Sequence, residues 1–149
     1  MRFWDASAIV PLQVEEVTTA EVQALLQEDP LVAVWWGARV ESTSALMRLV
    51  RESRMSREEI GQIREFFKEY FEEADEVGPT TEVRDLAEDL LARHALRAAD
   101  ALQLSAAVIW SRTVTASAEF VCLDNRLREA ARNEGFGVLP PINVSLSLR

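Results

Sequence analysis

The sequence predicts an α/β domain whose parallel sheet is covered on both faces by helices. Three observations carry this. Short apolar runs of strand length alternate along the chain with segments of helical periodicity. The run 31–36 is apolar throughout, the mark of a strand buried on both sides. No Pro/Gly-rich linker, repeat or low-complexity segment divides the 149 residues, 48% of them hydrophobic. That is enough for one domain with its own core, spanning residues 1–141 and followed by a short C-terminal tail at 142–149. Alternation of this kind implies right-handed crossovers, and in such sheets the active crevice lies beyond the C-terminal ends of the strands.

The elements follow in order. Residues 2–4 read as a short strand and 6–12 as the start of a helix. Thr18 and Glu21 have the spacing of a capping box for a helix over 18–27, which Asp29-Pro30 ends. After strand 31–36 comes a helix over 38–53. Ser56 and Glu59 form a second capping box, opening a helix with the stripe Ile60, Ile63, Phe67, Tyr70 and Ala74. A short extended piece at 76–77 stops at Gly78-Pro79, and Val83, Leu86, Ala87, Leu90 and Leu91 make the next helical face. Helix 98–110 is almost wholly apolar. Strand 120–123, helix 126–133, the stop at Gly135 and strand 136–139 complete the domain at Pro140-Pro141.

Composition removes several classes. No apolar run reaches the roughly 18 residues a membrane span requires. The N-terminus lacks the long apolar stretch of a signal peptide, so a cytoplasmic protein is expected. One Cys and one His exclude a thiolate and imidazole zinc site, and Cys122 inside an apolar strand reads as a small core residue. The net charge of −9 opposes general affinity for nucleic acid. Arg39, Arg48, Arg51, Arg54 and Arg57 nevertheless gather around one helix and its following turn. The tryptophans fall on strands and an apolar helix, where core packing is the expectation. The group Phe66, Phe67, Tyr70 and Phe71 covers more than one helix face and predicts a protein-binding or dimer surface.

Four acids stand where an acid is awkward. Asp5 and Asp124 close apolar runs at the C-terminal ends of strands, while Glu41 and Asp100 lie on apolar sides of helices. Each has a plain structural reading. Asp5 and Asp124 can cap the helices after them, and Glu41 and Asp100 can pair with Arg93 or Arg97. Together, from four elements converging on one crevice, they favour a hard cation such as Mg²⁺ or Mn²⁺. Such a site suits in-line displacement at phosphorus, with one or two ions. No GxSxG elbow or phosphate-binding Gly-rich loop competes, and His94 reads as structural. Ser7 can hydrogen-bond a carboxylate or cap its helix.

The segments around these acids carry a resemblance. Phe3-Trp4-Asp5-Ala6-Ser7-Ala8-Ile9-Val10, Glu41 within Arg39-Val40-Glu41-Ser42-Thr43-Ser44-Ala45-Leu46, Asp100 within Arg97-Ala98-Ala99-Asp100-Ala101-Leu102-Gln103-Leu104, and Val121-Cys122-Leu123-Asp124-Asn125-Arg126-Leu127 look like the four signature regions of a PIN domain. In order and context they resemble the small VapC-type toxins of prokaryotic toxin–antitoxin modules, over essentially the whole chain. The resemblance implies a three-layer α/β/α sandwich and Mg²⁺- or Mn²⁺-dependent endoribonuclease activity on RNA. It also implies inhibition by a small antitoxin protein, and homodimers. It carries Asp5, Glu41, Asp100 and Asp124 over as the catalytic and metal-binding quartet, with Ser7 as a supporting hydroxyl. Gln103 stands where a His is frequent and Cys122 where a Thr is frequent, neither of them a ligand position. A receiver domain would need an acid pair after the first strand and a late Lys, and the only Lys, Lys68, lies mid-helix. A dehalogenase-type phosphatase would need an Asp where Ser7 stands. A PIN nuclease of RNA processing without a toxin role and a catalytically silent interaction module are the remaining rivals.

Overall fold

A computed structural model of the protein describes residues 1–141; the expected tail at 142–149 lies outside the described residues. Five strands form one parallel sheet: β1 (Arg2–Trp4), β2 (Val32–Trp35), β3 (Asp75–Val77), β4 (Glu119–Val121) and β5 (Gly137–Leu139), in the order β3-β2-β1-β4-β5. The helices are α1 (Ala6–Ile9), α2 (Thr19–Glu28), α3 (Ala38–Arg51), α4 (Arg57–Glu73), α5 (Thr81–Arg93), α6 (Ala98–Ser111) and α7 (Asn125–Asn133).

Two apolar clusters sandwich the sheet, because successive strand residues point to opposite faces. Trp4, Val34 and Val121 face one cluster with Ile9, Leu46, Ile60, Phe67 and Tyr70. Phe3, Ala33, Trp35 and Phe120 face the other with Leu104, Trp110, Leu127 and Ala131. The result is the expected three-layer α/β/α sandwich.

Local chemistry sets the element ends. The capping box at α4 forms as its spacing predicts: Ser56 N–H donates to Glu59 Oε2 at 2.7 Å, and Glu59 N–H to Ser56 Oγ at 3.2 Å. Gly135, at φ 97°, ends α7 in the left-handed conformation a side chain disfavours. Three expectations need correction. The first helix stops at Ile9 and tightens into a 3-10 turn over Val10–Leu12, since Pro11 supplies no N–H. Thr18 makes no capping hydrogen bond, because its backbone is already helical (φ −89°, ψ −3°). Thr19 instead ties the preceding loop: its Oγ1 accepts from Glu16 N–H at 2.8 Å and donates to Val14 O at 3.1 Å.

The third correction concerns the aromatic group on α4. Phe67, Tyr70 and Phe71 are buried by their own chain, Tyr70 meeting Trp4 edge-on at 6.4 Å, and Phe66 is half-buried. The stripe is wide because α4 packs under both the sheet and α3, so it gives a dimer surface no support.

Candidate metal centre at the C-terminal sheet edge

Asp5 and Asp124 follow β1 and β4, adjacent strands in the sheet, and each caps the helix that follows it. Asp5 is buried, 5% exposed. Its Oδ2 accepts from Ser7 N–H at 3.1 Å and from Ser7 Oγ–H at 2.5 Å. Ser7 Oγ in turn accepts from Leu123 N–H at 2.9 Å, so one hydroxyl ties the end of β1 to the end of β4. Cys122 walls the same spot, its Sγ 3.7 Å from Asp5 Oδ2 and 3.7 Å from Ser7 Oγ. Burial and the neighbouring Asp5 hold its thiol protonated, well above the usual thiol range.

Asp124 is exposed, and its Oδ1 accepts from Leu127 N–H at 3.0 Å. Glu41 lies in the first turn of α3, where the helix dipole favours an acid. It is half-buried and accepts from Gln103 Nε2 at 3.2 Å. Asp100, in the first turn of α6, accepts from Arg97 N–H at 3.4 Å. The ion-pair readings of Glu41 and Asp100 do not hold among the described residues. Arg93 pairs with Glu134 at 3.3 Å, beside His94, which meets the same carboxylate at 2.8 Å.

The capping role of Asp5 and Asp124 is therefore real, and it coexists with a mutual electrostatic relation. Burial pushes the Asp5 carboxyl up to about 6 against the pull of its two Ser7 hydrogen bonds, with further repulsion from Asp100 and Asp124. Burial pushes Glu41 up to about 7; Asp5 and Asp100 add repulsion, and the Gln103 amide opposes it. Asp100 is raised too, by burial and then by Asp124, with Arg97 and Arg126 pulling the other way. Every member of the quartet thus feels at least one other. Asp100 and Asp124 share a cleft of about 330 Å³ with Thr18, Arg97, Asn125 and Arg126.

The quartet is spread rather than clenched. Among the described residues no group of three or more His, Cys, Asp and Glu side chains is arranged to hold a metal ion as it stands. A cation at this edge would therefore have to be held by one or two carboxylates together with water and substrate oxygens rather than by an all-protein cage. The repulsion that helps raise Asp5, Glu41 and Asp100 is the force a cation would relieve.

Two residues noted in the sequence take roles it did not predict. Gln103 is fully buried and orients Glu41 across 62 residues of chain. Thr18, read as a cap, instead lines the Asp100–Asp124 cleft. Neither leaves a local signal, because both act through tertiary placement. The arginine cluster also changes meaning. Arg51 lies roughly 15 Å along α3 from Glu41 at 1.5 Å per residue, and Arg54 pairs with Glu52 at 3.7 Å. Only Arg39 of that cluster lies in the same turn of α3 as Glu41.

No protein-family model matches the chain, and no curated protein matches it. Solved structures do. A toxin–antitoxin complex from Klebsiella pneumoniae is similar with a TM-score of 0.66 at 12% identity, over 97% of this chain and 100% of that one. The crystal structure of PAE2754 from Pyrobaculum aerophilum is similar with a TM-score of 0.61 at 18% identity, over 99% of this chain and 90% of that one. At these identities the likeness is one of fold, and it extends along the whole chain.

Proposed function

We propose that this chain is a Mg²⁺- or Mn²⁺-dependent endoribonuclease acting as the toxin of a toxin–antitoxin pair. The observation that carries the reading is the mutual electrostatic influence of Asp5, Glu41, Asp100 and Asp124, three of the four raised above the usual carboxylate range. Fold likeness to a chain of a toxin–antitoxin complex supports the partner half of the proposal. A homodimer belongs to the reading through the resemblance to VapC-type toxins.

In this mechanism the quartet would hold the cation, which supplies charge neutralisation at the scissile phosphate. Ser7 fixes the Asp5 carboxylate, and Gln103 fixes Glu41. Glu41, raised to about 7, would accept in its ionised form a proton from the water that attacks phosphorus. Arg97 and Arg126, exposed beside Asp100, take the non-bridging phosphate oxygens. The new P–O bond forms as the bond to the leaving oxygen breaks, and solvent protonates that oxygen.

Asp100→Asn tests this directly. The variant should fold with an unchanged or raised melting temperature, since a neutral amide removes repulsion, and should cut no RNA with Mg²⁺ or Mn²⁺ present. Its expression should not arrest growth. A folded Asp100→Asn protein with wild-type ribonuclease activity would sink the mechanism.

A further inference from the structure

The run 31–36, expected to be buried throughout, is exposed at both ends, at Leu31 and at Trp36. Val32 to Trp35 are buried, but Trp36 is 51% exposed. The reason is local. The turn at Gly37 folds over the Trp35 indole, where a Cβ would come within 2.4 Å of Nε1, and Trp36 is left outside that turn. Its backbone is held by a hydrogen bond to Val77 O at 2.9 Å, and its ring meets Trp35 edge-on at 6.2 Å. Register places it beside the acids. Trp4 is level with Val34, so Asp5 is level with Trp35, and Trp36 lies one residue beyond on the neighbouring strand. Val40, 68% exposed, follows in the first turn of α3, next to Glu41.

A second feature begins at Arg39, three residues after Trp36. Arg39, Arg64 and Lys68 line a cavity of about 260 Å³ between α3 and α4, with Glu65 the one acid among its lining residues. Gly61, Arg64 and Lys68 share a face of α4 by their spacing, and a Cβ on Gly61 would meet nothing within 4 Å, which leaves the cavity open there. None of the three cations makes an ion pair among the described residues, although Asp and Glu outnumber Lys and Arg by 25 to 16.

We propose that Trp36 stacks an unpaired base next to the scissile phosphate, while Arg39, Arg64 and Lys68 receive the phosphates that follow, so that the substrate is a single-stranded stretch of RNA. This rests on the ribonuclease reading above. An exposed aromatic one residue past the level of Asp5 is a platform that any base can use. The unpaired cations, beginning with Arg39 three residues on, give the backbone its course. A duplex would keep its bases stacked and out of reach of the indole. A chain of net charge −9 would in this way engage RNA through local unpaired cations rather than through its overall charge.

The test measures binding separately from cutting. A fluorescein-labelled short single-stranded RNA is titrated with protein, Ca²⁺ replacing Mg²⁺, and followed by anisotropy. Trp36→Ala should raise Kd roughly ten- to a hundred-fold, Trp36→Phe should recover most of the loss, and an abasic nucleotide at the stacked position should erase the difference between wild type and Trp36→Ala. Arg64→Gln with Lys68→Gln should flatten the dependence of log K on log salt by about 0.7 for each phosphate no longer neutralised, whereas Trp36→Ala should leave that slope alone. An unchanged Kd in folded Trp36→Ala overturns the proposal, as does equal affinity for duplex RNA. A concentration-dependent dimer abolished by Trp36→Ala, with RNA affinity intact, would assign the surface to a second copy and overturn it too. Trp36-dependent binding without any cleavage in Mg²⁺ or Mn²⁺ would instead remove the ribonuclease reading and leave this track standing.

Discussion

Gln103 Nε2 donates to Glu41 Oε1 at 3.2 Å, joining α6 to α3 beneath the acid cluster. The glutamine is fully buried, so its amide is held in place rather than chosen from many rotamers. Gln103→Leu keeps the volume and removes the donor. Glu41 should then titrate above about 7, and the acid limb of the cleavage pH profile should move to higher pH while the fold is retained. A profile that does not move would mean that Glu41 takes no proton in the reaction.

The raised carboxyls make a prediction for stability. Asp5 at about 6 and Glu41 at about 7 bind protons more tightly in the folded protein than in the unfolded chain. Their contribution is therefore fully present below pH ~4 and is lost as pH rises through 6 and 7. For Asp5 alone the loss is on the order of 3 kcal/mol. Metal-free protein should melt lower at pH 8 than at pH 5.5. Millimolar Mg²⁺ should restore more of the melting temperature at pH 8 than at pH 5.5, because ligands that bind only the folded state stabilise it. Calorimetry at the two pH values with and without EDTA measures both differences, and a pH-independent response to Mg²⁺ would count against the quartet as its site.

Ser7→Ala should act through two partners at once. Asp5 loses the Oγ–H donor, and the Leu123 N–H loses its acceptor. The expected cost is about 1–3 kcal/mol, read from urea unfolding at pH 7, with the Asp5 carboxyl moving higher still. A variant as stable as wild type would show that solvent replaces the hydroxyl.

Arg128 offers a prediction outside the acids. It is buried, and donates to Cys122 O at 2.7 Å and to Pro140 O at 2.6 Å, with no carboxylate paired to it among the described residues. It clamps the ends of β4 and β5 just behind Asp124. Arg128→Ala strands two carbonyls and should cost roughly 3 kcal/mol or more, while Arg128→Lys, with a single ammonium, should recover part of that. Equal stability of the alanine variant and wild type would mean that the cavity admits water to both carbonyls.

Legible in the chain were the α/β class, the approximate span of the helices and the four acids as candidates for a site. Those depend on periodicity, turn residues and the cost of placing an acid among apolar neighbours, all properties of nearby positions. The capping box at Ser56 and Glu59 was legible for the same reason, since both partners lie within one turn. Long-range packing sets what each acid touches and pushes Asp5 and Glu41 upward. Glu41 waits on Gln103 from another helix, and Asp5 on a serine hydroxyl that also holds the chain after β4. It decided that the α4 aromatics turn inward, while Trp36, one residue past a buried strand, turns out. Burial and long-range pairing depend on which surfaces the topology brings together, and neighbouring residues in a chain carry no record of that.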